Sequence, residues 1–241
     1  MHVRLNPPLW RHDAYTLRKL VAALQKTLNQ LIAQRILTQD STVVDLGAGD
    51  APYRPLFLPH CRRYLACDLA ESPGIDIVFK PGQPLELESG SADCVVSFQV
   101  LEHVWDLDAY LGECLRLLAP DGRLILSTHG TWLYHPHPTD YRRWTPDGLR
   151  KELEVRGFEV LEMRPAVGPL ACTTQFRTLA YHHLLSRLGP AGRLVAAALC
   201  SIMYGRMWIE DKCTPAIQHE TNSAIFMVMA RPRSSTLRTP T

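Results

Sequence analysis

The chain has 241 residues, 46% of them hydrophobic and 21% charged, and a formal net charge of +2. That length suits one α/β domain with an insertion, and the apolar content supports a packed core and excludes global disorder. The near-neutral balance, without any Lys/Arg-rich run, predicts no nucleic-acid partner.

In chain order, residues 13–37 form an amphipathic helix, because Leu17, Val21, Leu24, Leu28 and Leu31 recur at three- and four-residue spacing. Strands are predicted at 42–46, 63–67, 75–79, 93–97 and 123–128, with helices near 53–58 and 107–118. Thr145-Pro146-Asp147 supplies an N-cap followed by proline at the first helical position. That helix runs to about Arg156 and is ended by Gly157, and Phe158–Met163 is a sixth strand. About 55–60 residues then precede a last strand at Ser223–Ala230; they hold two helices, Gln175–Ser186 and Arg193–Ile209. The expected division is an N-terminal helical segment (1–40), a core (41–164 and 221–231), a helical insertion (165–220) and a disordered tail (232–241). Strands alternating with helices predict a Rossmann-like, doubly wound, mostly parallel seven-stranded sheet.

The seven cysteines, Cys61, Cys67, Cys94, Cys114, Cys172, Cys200 and Cys213, include no C-x-x-C pair. They read as reduced, mostly buried thiols of a cytoplasmic protein. Pro7, Pro8, Arg11 and His12 interrupt any signal-peptide core. The longest uncharged apolar run, Leu194–Gly205, is too short for stable membrane insertion. Arg193, Arg206 and Trp208 flank that run, which leaves a peripheral membrane contact open.

The most informative segment is Thr42-Val43-Val44-Asp45-Leu46-Gly47-Ala48-Gly49-Asp50, with Cys67-Asp68 ending the next strand. A strand opening into a glycine turn, then a second strand tipped by an acid, is the layout of a nucleoside-binding βαβ unit. A dinucleotide fingerprint needs a glycine where Pro52 stands, which argues against an NAD-dependent oxidoreductase. Asp45, two residues before Gly47, suits a ligand with a cationic amine and no pyrophosphate. S-adenosylmethionine has that amine, together with a ribose for Asp68.

Asp45-x-Gly47-x-Gly49 resembles motif I of the class I S-adenosylmethionine-dependent methyltransferases. Asp93–Val104 resembles their fourth strand and the helix entry after it, and Leu115–Leu126 their next helix, turn and fifth strand. The resemblance covers roughly residues 40–165, in family order and spacing. Ala51 replaces a frequent third glycine and Asp121 the first glycine of a Pro-Gly-Gly turn, both expected to be mild. The resemblance implies that the last strand runs antiparallel beside the sixth. With the residue reading, it implies a cofactor set of Asp45, Gly47, Ala48, Gly49, Asp68, Leu69, Gln83, Ser97, Phe98 and Gln99. Phe98 is equally readable as core.

Acceptors in open α/β sheets bind beyond the carboxyl ends of the strands. That nominates His103, just past the fourth strand, as a base or a structural helix end, and His129, just past the fifth. The stretch 128–145 adds His135 as a third catalytic candidate. It also adds Trp132, Tyr134, His137, Asp140, Tyr141 and Arg143 as substrate-binding candidates, or else as an ordered surface loop. His135-Pro136-His137 with one Asp is too few ligands for a metal, so none is expected. The stretch resembles a bacterial methyltransferase subgroup linked with glycan or surface-polysaccharide assembly, which implies a hydroxyl of a small-molecule or glycan-linked acceptor. Two alternatives stay open: an apolar or lipid-like acceptor with the insertion as lid, and a non-catalytic cofactor-binding module.

Overall fold

The computed structural model describes residues 2–136 and 139–233. The expected His137 contact and most of the expected 232–241 tail lie outside the described residues.

Seven strands form one sheet in the order β3-β2-β1-β4-β5-β7-β6. They are β1 (Thr42–Leu46), β2 (Arg63–Asp68), β3 (Ile77–Val78), β4 (Ala92–Phe98), β5 (Leu118–His129), β6 (Phe158–Pro165) and β7 (Ile225–Pro232). β1 pairs in parallel with β2 and β4, β2 with β3, and β4 with β5, while β7 runs antiparallel between β5 and β6. The expected doubly wound sheet is therefore present. The chain winds outward in opposite directions from β1 and β4, so the crevice beyond their carboxyl ends is a topological switch point.

Alternation along the strands builds two cores. Val43, Tyr64, Val96, Ile125 and Met227 face helix α1 (Ala14–Ala33), whose Leu20, Leu24, Leu28 and Leu31 form one buried stripe. Val44, Leu46, Val95, Leu124, Leu126 and Val228 face α3 (Leu107–Leu117) and α4 (Pro146–Val155). Fully burying one such side chain contributes about 1.5–3 kcal/mol before entropy is counted. Short α2 (Arg54–Phe57), which continues as a 3-10 turn through His60, adds Phe57 to the core on the α1 side.

α4 starts as the sequence dictates, with the Thr145 hydroxyl accepting from the Gly148 N–H at 3.1 Å. Gly157 ends it in the left-handed region at φ +88°. β5 begins at Leu118, five residues before its predicted start. Leu118 pairs with Ala92 and Arg123 with Cys94, so Pro120-Asp121-Gly122 is an irregularity inside a strand instead of a turn before it. β3 is two residues long, shorter than predicted.

Helices α5 (Pro169–Ser186), α6 (Gly189–Cys213) and α7 (Ala216–Thr221) lie between β6 and β7. The first two exceed their predicted spans. α1 is tied to them by a buried carboxylate: Asp211 accepts from the Tyr15 hydroxyl at 2.6 Å and from the Gly168 N–H at 2.8 Å, and pairs with Lys19 at 2.7 Å. All seven cysteines are free, and only Cys213 is exposed. Among the described residues no helix is long and apolar enough to cross a membrane.

Candidate active site

One cavity of about 1230 Å³ opens at the switch point. Its floor is the turn after β1. Gly47 and Ala48 donate their N–H groups to the Cys67 carbonyl at 2.9 and 3.1 Å, which locks the turn against β2. Gly47 sits at φ +78°, and a Cβ there would lie 2.6 Å from Val100 Cγ2, so only glycine fits. Ala51 also adopts a left-handed φ of 47°, so its departure from glycine is less mild than expected: that conformation costs an L-residue about 1–2 kcal/mol.

Asp68 accepts from the Gly49 N–H at 2.5 Å and from its neighbour Leu69 N–H at 2.6 Å. It lines the cavity with lone pairs to spare for two hydroxyls. Asp45 is buried on the cavity wall, accepting from the Tyr64 hydroxyl at 2.5 Å. Burial pushes its carboxyl up to about 7, against the lowering effect of the Tyr64 hydrogen bond. Ala48, Leu69, Gln83, Phe98 and Gln99 also line the cavity. Phe98 is both wall and core, meeting Tyr53 edge-on with ring centroids 4.9 Å apart. Gln99, at a left-handed φ of 58°, is pinned by bonds to Ser127 at 2.9 and 3.0 Å. Ser97 stands apart from the other expected cofactor residues. It lies behind the wall and bonds Tyr110 at 2.8 Å, because its β4 position points into the layer under α3. Tyr110 in turn donates to the Leu46 carbonyl at 3.0 Å and itself lines the cavity.

The opposite wall holds all three histidine candidates, His103, His129 and His135. His129 is the last residue of β5, not past it, and is buried with its ring stacked on Trp132 at 4.9 Å. His129 Nε2 lies 3.1 Å from His135 Nε2 and 3.5 Å from Glu102 Oε1. Burial holds His129 well below the usual imidazole range, with His135 and Arg143 adding to the effect, and lowers His135 in the same direction. Glu102, in the 3-10 turn Leu101–His103, is fully buried at 0% exposure, and burial pushes its carboxyl up to about 7.

The described residues of the loop after β5, 130–136 and 139–145, are held by their own polar groups. Asp140 forms an ion pair with Arg143 at 2.5 Å and accepts the His135 N–H at 2.9 Å. Arg143 also donates to the Trp132 and Leu133 carbonyls. Tyr141 N–H reaches the Glu102 carbonyl at 2.8 Å, and Arg142 donates to the Val104 and Trp105 carbonyls. Of the substrate candidates, Trp132 and Tyr141 line the cavity, whereas Asp140 and Arg143 brace the loop behind it and Tyr134 points to solvent at 72% exposure.

Residues 9–163 match the methyltransferase domain family. The chain belongs to that family. S-adenosylmethionine is the cofactor of this class of methyltransferase. A protein of Mycolicibacterium smegmatis named as a probable S-adenosylmethionine-dependent methyltransferase is 32% identical over 146 residues, covering 54% of this chain and 56% of its own length. A ubiquinone biosynthesis O-methyltransferase of Dinoroseobacter shibae is 29% identical over 185 residues, covering 67% of this chain and 70% of its own. The chain spans about half the length of the curated mycobacterial relatives it matches. Its fold is shared with 1,6-didemethyltoxoflavin-N1-methyltransferase from Burkholderia thailandensis, crystallised with S-adenosylhomocysteine. There the TM-score is 0.51 at 19% identity, covering 81% of this chain and 72% of the other.

Sequence reasoning missed several residues in and behind the cavity wall. Glu102, buried behind the wall, carried no role of its own in the sequence, although an acid inside Leu101-Glu102-His103 is the kind of buried polar group that needs a partner. Arg4, Arg11, Leu17 and Leu20 wall the cavity from the N-terminal side. The segment 165–220, read from sequence as a helical cap or lid, contributes no residue to the cavity lining. α5 and α6 pack behind α1 instead, with Gln175 bonding Thr16 and the His12 carbonyl.

Proposed function

We propose that this methyltransferase holds S-adenosylmethionine over the β1 turn and passes its methyl group to a hydroxyl of a small-molecule or glycan-linked acceptor. The observation that carries the reading is continuity: the glycine turn, Asp45 and Asp68 share one cavity with His103, His129 and His135. In this reading Asp45 faces the methionine ammonium, directly or through water, and Asp68 takes the ribose hydroxyls. The acceptor oxygen attacks the methyl carbon in line, the carbon–sulfur bond breaks toward sulfur, and S-adenosylhomocysteine leaves. The sulfonium already activates the methyl, so the protein mainly positions the acceptor and receives its proton. The His129–His135 pair stands where that proton would go.

A sugar acceptor is favoured by the cavity mouth. Trp105 and Tyr141 line it with ring centroids 5.2 Å apart, yet are 71% and 45% exposed. Exposed aromatic faces beside polar groups suit a sugar ring. An apolar or lipid-like acceptor is the second reading, favoured by Leu17 and Leu20 on the N-terminal wall. The test is methyl transfer from labelled S-adenosylmethionine to a panel of simple glycosides and long-chain phenols. Methylated glycosides with inert phenols support the first reading, and the reverse supports the second. The proton role predicts that His129→Ala lowers kcat at least about tenfold while S-adenosylhomocysteine affinity holds. Unchanged kcat removes it.

A further inference from the structure

At the cavity wall and just behind it stand side chains of metal-ligand type: His103 and His135 line the cavity, and Glu102 is buried beside them. Glu102, His103 and His135 each offer one ligand atom, and the three atoms lie within 4.8 Å of one another. Two further features point to a cation. Glu102 Oε2 accepts the Thr128 hydroxyl at 2.8 Å, but Oε1 is buried without a hydrogen-bond partner, with His129 Nε2 standing off at 3.5 Å. A buried carboxylate oxygen with no donor is costly unless a positive charge meets it. His103 donates its Nδ1–H to the Thr139 carbonyl at 2.7 Å, which leaves Nε2 with its lone pair. That is how outer hydrogen bonds orient an imidazole that ligates a metal.

We propose that Glu102, His103 and His135 form a binding site for a divalent first-row transition ion. Two imidazoles and one carboxylate match the donor set of three-ligand zinc sites, in which a fourth position stays open. Bonds of about 2.0–2.2 Å put tetrahedral ligand atoms roughly 3.3–3.5 Å apart, so atoms now within 4.8 Å of one another close up on binding. The inference rests on the cavity being the acceptor site, since the open position then takes the acceptor hydroxyl. The ion lowers the hydroxyl pKa, and the proton passes to His129 and then to cavity water. The oxygen, still bound through its other lone pair, attacks the methyl carbon as the carbon–sulfur electrons go to sulfur.

The test uses the full chain, stripped with a chelator, dialysed and titrated with Co²⁺ and Zn²⁺. The expected result is one ion per chain, with the visible absorption of low-coordinate cobalt. Glu102→Gln and His135→Ala should each weaken Co²⁺ binding at least about 100-fold, and Thr128→Val, which removes only the hydroxyl on Glu102, about 10-fold. His182→Ala, in the separate His12, His182 and His183 group, should leave it unchanged. S-adenosylhomocysteine titrated into the same samples reports both fold and cofactor site. Cofactor binding without stoichiometric Co²⁺, or with Co²⁺ binding lost in His182→Ala and kept in Glu102→Gln, overturns the ion site alone. Failure of the unaltered protein to bind S-adenosylhomocysteine overturns the underlying reading.

Discussion

The native chain should bind its cofactor with a pH dependence below neutrality that replacing Asp45 with Asn removes. Asp45 is fully buried, and burial pushes its carboxyl from 3.8 up to about 7. The folded chain thus binds this proton more tightly than the unfolded chain does. The resulting stability is fully present below about pH 4 and is lost as pH rises toward 7, at about 1.4 kcal/mol per unit. Over the whole shift this amounts to roughly 4 kcal/mol. A ligand ammonium beside Asp45 reverses the preference and favours the carboxylate. Binding below about pH 7 must then expel a proton, so affinity falls about tenfold per unit on the acid side. The ligand's own amine titrates near pH 8, so the rising limb belongs to Asp45. Calorimetry with S-adenosylhomocysteine in two buffers of different ionisation enthalpy reads both affinity and proton count. At about pH 6 the native chain should bind roughly tenfold more weakly than at its plateau and release close to one proton. Asp45→Asn should bind more weakly throughout, with no slope. A flat native profile, or the same slope in Asp45→Asn, would refute the assignment of Asp45 to the amine.

Gly47→Ala must hold an L-residue at φ +78° and displace Val100 from 2.6 Å, so cofactor affinity should drop at least about tenfold by calorimetry, with a lower thermal midpoint. Trp105→Ala should raise KM for a glycoside acceptor several-fold, because a stacked aromatic contributes about 1 kcal/mol, while S-adenosylhomocysteine affinity is unchanged. Thr145→Ala loses the α4 cap bond and should cost about 1 kcal/mol in denaturant unfolding without touching the cofactor site.

The cofactor half of the cavity was legible in the sequence because its parts are contiguous. β1 runs from Thr42 to Leu46 as predicted, since an apolar run stopped by a glycine turn leaves little choice of bounds. α4 was fixed by Thr145 and Pro146 at one end and Gly157 at the other. The helices between β6 and β7 were legible only in part. Their apolar residues do not fall on one stripe, so periodicity could not find their starts, although Gly168-Pro169 was a usable signal for α5. The acceptor wall was the least legible. His129, His135 and the buried Glu102 behind them come from three segments joined by the β4–β5 register and the Asp140–Arg143 brace, and neither pairing has a local sequence signature. Alternation along β5 places His129 on the same face as Ile125 and Ser127, which would have identified it as a buried strand residue.

Binding of the sulfur nucleoside in this cavity depends, in this reading, on Asp68. Its most direct measurement is calorimetric titration of S-adenosylhomocysteine into the native chain and into Asp68→Ala, with NADH as the control ligand. The predicted result is one site on the native chain, no NADH binding, and at least about a 100-fold loss in Asp68→Ala, from two lost hydrogen bonds to a charged group. Equal affinity in both proteins, or binding of NADH alone, would contradict it.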